Sequence, residues 1–248
     1  MNLCIDQGNS RTKMAIFADD GRMINNFIYK SFTALDVERL CQLYQVDNGI
    51  ISSVVNVDAA VVNVLHRCCK EFILFDYTTP VPIKNCYDTP RTLGQDRLAA
   101  AVGANFLHPD DDLLIIDAGS AITYDFVSNK NEYLGGNIAP GLSMRCRALK
   151  NQTKKLPLVE IDEKQIIPLF GTNTHDAILA GVVRGIKFEI EGYIHTLERR
   201  VDHFTTLITG GSAAYILPNL REQVEYQKHL VLLGLNRILT YNLRERKE

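Results

Sequence analysis

CIDQGNSRT (Cys4–Thr12) is answered later in the chain by IIDAGSAIT (Ile115–Thr123). In each stretch an apolar run ends in Asp, any residue and Gly, and a Thr closes the stretch six residues beyond the acid. Asp6 and Asp117 stand 111 residues apart, nearly half of the 248-residue chain. Similarity at so long a period points to two copies of one supersecondary unit. The flanks agree. Met14–Phe17, a turn at Asp19-Asp20-Gly21 and Asn26–Lys30 follow the first copy, and Tyr124–Val127, a polar turn at Ser128–Asn131 and Tyr133-Leu134 follow the second. Both copies therefore read as the opening of an antiparallel meander.

Outward from these hairpins, helical patterns are expected over Ala34–Tyr44, Asp58–Lys70 and Gln95–Phe106, with short strands at Ile50–Val54 and Phe72–Phe75. The second half repeats the mixture. Helical patterns fall at Ser143–Leu149, Asp176–Val201, Tyr215–Asn219 and about Leu230–Arg244, and a strand at Thr206–Thr209 precedes Gly210-Gly211. Alternating strands and helices predict α/β layering. The turn-rich acidic stretch His108–Asp112 suggests a boundary, giving domains 1–112 and 113–248 and a ligand-binding cleft between two similar halves.

Composition narrows the class. Hydrophobic residues make up 46% and charged residues 23%, as in ordinary globular proteins, and a net charge of -2 offers no footprint for nucleic acid or an anionic membrane. The stretch Arg244–Lys247 is basic but short and mixed in sign, as a solvated helix end would be. The N-terminus has neither a positive leader nor an apolar core, and no apolar run approaches the roughly 18 residues of a membrane span. A cytoplasmic setting is expected. Six cysteines without a CxxC pair, Cys68-Cys69 among them, read as reduced thiols, and six histidines are scattered without metal-ligand spacing.

An Asp-x-Gly turn can serve chemistry. Glycine lets backbone N–H groups approach an anion, and Ser10, Thr12, Ser120 and Thr123 offer hydroxyl donors nearby. A carboxylate at the strand end suits hydrated Mg²⁺, which keeps several waters and takes one or two carboxylates plus substrate phosphates. Two routine β-turns would look the same one at a time; the repetition is what favours a pair of phosphate cradles. GGNIAPGL (Gly135–Leu142) and ITGGSA (Ile208–Ala213) add glycines ahead of helices, where N–H groups can meet an anion.

With these residues assembled, the chain resembles the type III pantothenate kinases of the acetate kinase/sugar kinase/Hsp70/actin superfamily. Both cradles belong to the whole superfamily. Gly94-Gln95-Asp96-Arg97 together with Gly171-Thr172-Asn173-Thr174 carries the narrower likeness. The resemblance implies a two-domain actin-like ATPase (ribonuclease H-like) fold with duplicated mixed sheets, and ATP-dependent phosphorylation of pantothenate, the first step of coenzyme A synthesis. It implies that Asp6, Gln7, Gly8, Asn9, Ser10, Arg11, Thr12 and Lys13 bind ATP with Ser120, Asp6 lying near Mg²⁺. It implies Asp96 as general base and Tyr87, Gly94, Gln95, Asp96, Arg97 and Thr174 as the pantothenate site. Asp117 would take a monovalent cation, K⁺ or NH₄⁺, and the protein would be a homodimer. Ser10 and Ser120 stand where many members have threonine and keep the hydroxyl; Lys13 falls at a variable position.

Blander roles stay open on the residues alone. Asp96 is also a good first-turn acid for a helix dipole, Tyr87 a core or rim aromatic, and Thr174 an N-cap for a helix beginning near Asp176. A regulator that kept the fold without the catalysis would not need a carboxylate at position 96. A sugar or acid kinase would keep both cradles but should lack the Gly94–Arg97 and Gly171–Thr174 segments.

Overall fold

The computed structural model describes residues 1–162, 165–220 and 223–245; Arg246 and Lys247 of the mixed-sign tail lie outside them. The elements run β1 (Asn2–Gln7), β2 (Thr12–Phe17), β3 (Met23–Tyr29), α1 (Ala34–Tyr44), β4 (Asn48–Ser53), α2 (Ala59–Cys68), β5 (Glu71–Leu74), β6 (Lys84–Asn85) and α3 (Gln95–Leu107). They continue as β7 (Leu113–Ala118), β8 (Ala121–Ser128), β9 (Glu132–Pro140), α4 (Leu142–Gln152), α5 (Thr174–Leu197), β10 (Thr205–Thr209), α6 (Ala213–Ile216), β11 (Glu225–Tyr226) and α7 (Leu230–Glu245). Two compact units result. One comprises Met1–Pro109, Lys130–Leu134 and the chain from His229; the other comprises Asp110–Asn129 and Gly135–Lys228.

In the first unit the sheet order is β3-β2-β1-β4-β5, with β3-β2-β1 antiparallel and β1-β4-β5 parallel. The period of two sends Leu3, Ile5, Met14, Ile16 and Ile51 to one face, where they pack with Val37 of α1 and Val61 and Leu65 of α2. Both helices start where the sequence supplies caps. Thr33 and Asp36 form a reciprocal capping box on α1, and the Asp58 side chain accepts from the Ala60 N–H at the head of α2. The other face of the sheet is covered by α7, where the Asn2 side chain donates to Asn236 at 3.0 Å. Along α7 lies α3, and the two backbones nearly touch at Gly103 and Gly234: a Cβ on Gly234 would stand 1.8 Å from the Ala99 carbonyl oxygen.

In the second unit the strands run β11-β10-β7-β8-β9, with β7-β8 antiparallel and β10 parallel to both β7 and β11. Leu114, Ile116, Ile122 and Tyr124 project from the sheet onto Ile178, Val182, Ile186 and Ile190 of α5. Burial pushes the Tyr124 phenol well above its ordinary range, with the nearby Glu189 carboxylate adding to the shift. Arg145 pairs with that carboxylate at 2.6 Å.

Three expectations need revision. Of the glycines expected ahead of a helix in GGNIAPGL, only Gly141 caps α4, while Gly135–Pro140 completes β9. Among the described residues the short β6 pairs only with the first residues of β9, so beyond them that side of the strand is an edge, where proline disturbs no ladder. The expected boundary at 112 puts the last helix in the second domain, whereas α7 packs within the first unit, where its Gly234 accepts the close approach of α3. Thr174 is the first residue of α5 and Asn173 is its cap, the Asn173 side chain accepting from the Asp176 N–H at 2.9 Å. Among the described residues no helix is long and apolar enough to cross a membrane.

Candidate active site

The β1–β2 turn closes at Gln7 and Thr12, leaving Gly8–Arg11 as a four-residue loop in which the Gly8 N–H donates to the Arg11 carbonyl at 3.1 Å. Asn9, Ser10 and Arg11 are exposed. Asp6 sits half-buried at the carboxyl end of β1, in register with Lys13 on β2 and Ser52 on β4. Gln7 is held from behind: its side-chain oxygen accepts from Ser53 at 3.1 Å, and its carbonyl accepts from the Val54 N–H at 3.1 Å. Thr12 is buried and shares the face of Gln7, the face opposite Asp6. The turn therefore gathers Asp6 and an exposed rim from Asn9 to Arg11, and it leaves the Thr12 hydroxyl on the core side.

The β7–β8 turn is tighter. Its last paired residues are Ala118 and Ile122, so only Gly119, Ser120 and Ala121, the first residue of β8, lie between them, and Asp117 faces Thr123 on β8 and Thr209 on β10. Two glycines press on it. Gly141, the residue ahead of α4, donates its N–H to the Ser120 carbonyl at 3.2 Å, and a Cβ there would lie 2.4 Å from that oxygen. Gly210 has φ 95, and its Cβ would lie 2.5 Å from Asp117 Oδ1 and from the Ala118 carbonyl. The Ser212 N–H donates to the Ala118 oxygen at 2.9 Å. Backbone thus meets backbone at the exposed Ser120 with the start of an eleven-residue helix beside it, an arrangement suited to phosphate.

A third cluster lies in the first unit. Gly94 caps α3, where a Cβ would fall 2.5 Å from Asp96 Oδ1, so glycine is what lets the Asp96 carboxylate fold back over the helix start. Asp96 Oδ1 also accepts from the Arg97 N–H at 2.9 Å. Arg97 is buried, only 6% exposed, and its guanidinium lies 5.7 Å from the centre of the Tyr87 ring. Tyr87 packs in turn on Tyr133 at 6.1 Å between ring centres. Gln95 Nε2 donates to the Leu93 carbonyl at 3.1 Å, while its buried Oε1 has no partner among the described residues. Thr174 is not part of this cluster. It opens, with Arg145, Leu149, Ile178 and Val182, onto a mostly apolar groove of about 710 Å³ in the second unit.

The donor chemistry fits a magnesium nucleotide. Hard oxygen donors stand at the two turns, and among the described residues no cluster of three or more His, Cys, Asp or Glu forms a closed metal cage. Mg²⁺ characteristically uses one or two carboxylates and leaves the rest to water and phosphate. The buried Thr123 Oγ1, without a partner among the described residues, leaves hydrogen-bonding capacity next to Asp117.

An Asp one residue from the end of a strand that feeds a glycine turn, present once in each of two α/β units, is the arrangement of the actin-like ATPase and sugar kinase fold. Solved structures agree on the fold. A protein described as a Baf family transcriptional activator from Campylobacter jejuni superposes with a TM-score of 0.62 at 22% identity, covering 98% of this chain and 99% of that one. A ROK family glucokinase from Streptomyces griseus does so with a TM-score of 0.53 at 12% identity, covering 97% and 99%. The profile of the type III pantothenate kinases matches residues 2–196, and a type III pantothenate kinase from Phocaeicola vulgatus is 43% identical over 242 residues, 98% of this chain and 99% of that protein. The chain belongs to the type III pantothenate kinase family, which phosphorylates pantothenate with ATP in coenzyme A biosynthesis.

Proposed function

We propose that this chain performs that transfer with Asp96 as general base and Arg97 as the partner of the pantothenate carboxylate. One observation carries the assignment: the start of α3 holds a carboxylate and a buried guanidinium side by side, the first admitted by Gly94 and the second stacked on Tyr87. Side chains of adjacent helical residues diverge by about 100°, so only near a helix start can both serve one ligand. Phosphoryl transfer demands positioning, charge neutralisation and a group that orients or accepts the acceptor's proton. Asp96 receives the proton of the attacking hydroxyl, and Arg97 fixes the far end of the substrate in a fork geometry. Gly94, Gln95 and Tyr87 shape the same site.

ATP is assigned to the Asp6–Lys13 segment, without the core-side hydroxyl of Thr12, and to Ser120. Support comes from the exposed rim Asn9–Arg11 and from the backbone crowding of Gly141 and Gly210 around Ser120. Magnesium, when bound at Asp6, supplies charge neutralisation for the phosphates. Asp117, flanked by the hydroxyl residues Thr123 and Thr209, takes the K⁺ or NH₄⁺ ion. Thr174 contacts pantothenate across a homodimer, a reading supported by its exposed place on the lining of the groove and by the exposed apolar side chains Ile138, Phe170 and Phe188. A cytoplasmic setting is supported by six unpaired cysteines.

A coupled ADP-release assay with pantothenate, Mg²⁺ and either K⁺ or Na⁺ tests the proposal. Pantothenate-dependent turnover is expected, faster with K⁺. Asp96→Asn should lower kcat by about a hundredfold or more, the range of general-base contributions, without weakening ATP binding. Near-parental turnover in that variant would remove Asp96 from the role.

A further inference from the structure

β1 and β4 run parallel with Asp6 opposite Ser52, so both side chains leave the same face of the sheet at the carboxyl ends of neighbouring strands. Strand ends of this kind are where open α/β sheets bind ligands. Ser52 is 0% exposed, and its Oγ has no hydrogen-bond partner among the described residues. The next residue shows what a satisfied serine looks like here. Ser53, on the opposite face, hydrogen-bonds the Val55 carbonyl at 2.6 Å and the Gln7 side chain at 3.1 Å. A buried hydroxyl left unpaired costs its desolvation, so its presence calls for a partner that the folded chain does not itself supply. The second hairpin repeats the pattern: Asp117 faces Thr123, whose buried Oγ1 likewise has no partner among the described residues.

We propose that Ser52 is a positioning residue for the hydrated magnesium ion of the nucleotide, its hydroxyl hydrogen-bonding the ion's water shell beside Asp6. The proposal rests on the assignment of magnesium nucleotide to the first turn. Mg²⁺ holds its waters tightly, and a polar group just outside the ion orients that shell. Because the hydroxyl has no structural partner, its removal leaves stability unchanged or raised. That separates the proposed role from a merely structural one.

The experiment titrates AMP-PNP into the full-length protein by calorimetry, with and without Mg²⁺, for the parent, Ser52→Ala and Ser52→Cys. The cysteine keeps the volume but hydrogen-bonds weakly. Both variants should bind the magnesium form about tenfold more weakly, equivalent to about 1.4 kcal/mol. Metal-free binding and the ligand-free melting temperature should stay at the parental values, with Ser52→Ala melting no lower. Equal weakening with and without Mg²⁺, or none, would overturn the role of Ser52 while leaving the nucleotide assignment intact. A parent that binds AMP-PNP no better with Mg²⁺ would overturn the assignment itself and the proposal with it.

Discussion

The two Asp-x-Gly hairpins share the spacing from acid to threonine yet pair differently. In the first, Asp6 faces Lys13 and four residues form the loop; in the second, Asp117 faces Thr123 and three do. One residue of register turns every later side chain to the other face. Thr12 accordingly goes to the core, while Thr123 stays beside its acid. The surroundings diverge in step. The first turn projects an exposed rim, and the second is clamped by Gly141 and Gly210. A repeated motif thus sets the scaffold, and the register decides which atoms each copy offers.

The sharpest way to break this contrast is to add a methyl group to each turn. Gly210→Ala places a Cβ 2.5 Å from backbone at a positive φ, and Gly141→Ala places one 2.4 Å from a carbonyl. Each should lower unfolding free energy by about 3 kcal/mol, read from urea denaturation. Gly8→Ala meets the Arg11 carbonyl at 3.2 Å and should lose less than about 1 kcal/mol. Similar losses at all three positions would mean that the second turn is no more braced than the first.

Smaller effects should separate the acids by ion. Asp6→Asn is expected to raise the Mg²⁺ needed for half-maximal turnover about tenfold, and Asp117→Asn to do so for K⁺, with little crossover, each about 1.4 kcal/mol. Steady-state titrations of each ion in both variants provide the check. A common response to both ions would merge the two turns into one functional unit.

The smallest effect concerns how the first hairpin's sheet is secured. The Lys70 ammonium, 2.7 Å away, and the amino group of Met1 hold the Asp47 carboxyl down at about 2. A carboxyl lowered from its ordinary value near 4 stabilises the fold above that value and loses its contribution as pH falls towards 2. Asp47 is well exposed, so the gain is screened and should stay below about 1 kcal/mol. Asp47→Asn should flatten the melting-temperature profile between pH 4 and pH 2 by that small amount.

What was legible in the chain is what neighbouring residues decide. Both hairpins, the helix from Ala34 to Tyr44 and the glycine ahead of Asp96 are written within a few positions of the structures they make. What was illegible depends on distant partners. β6 and β11 are two residues each and exist through β9 and β10. The register difference leaves no trace in motif spacing. The return of α7 to the first unit hangs on Gly103 meeting Gly234, 131 positions later. Asp96 and Arg97 were visible as a pair, but the packing of Arg97 on Tyr87 was not, and Ser52 matters through a register partner 46 residues away.

The meeting of α3 and α7 also sets a timetable for synthesis. Residues 98–104 of α3, nearly all buried in the finished protein, leave the ribosome more than a hundred residues before the helix that covers them. At elongation rates of about 5–20 residues per second, that apolar alanine face stays uncovered for on the order of ten seconds. The first unit, though encoded first, is completed last. Slow, non-local closure of this kind exposes a nascent chain to aggregation until α7 is made.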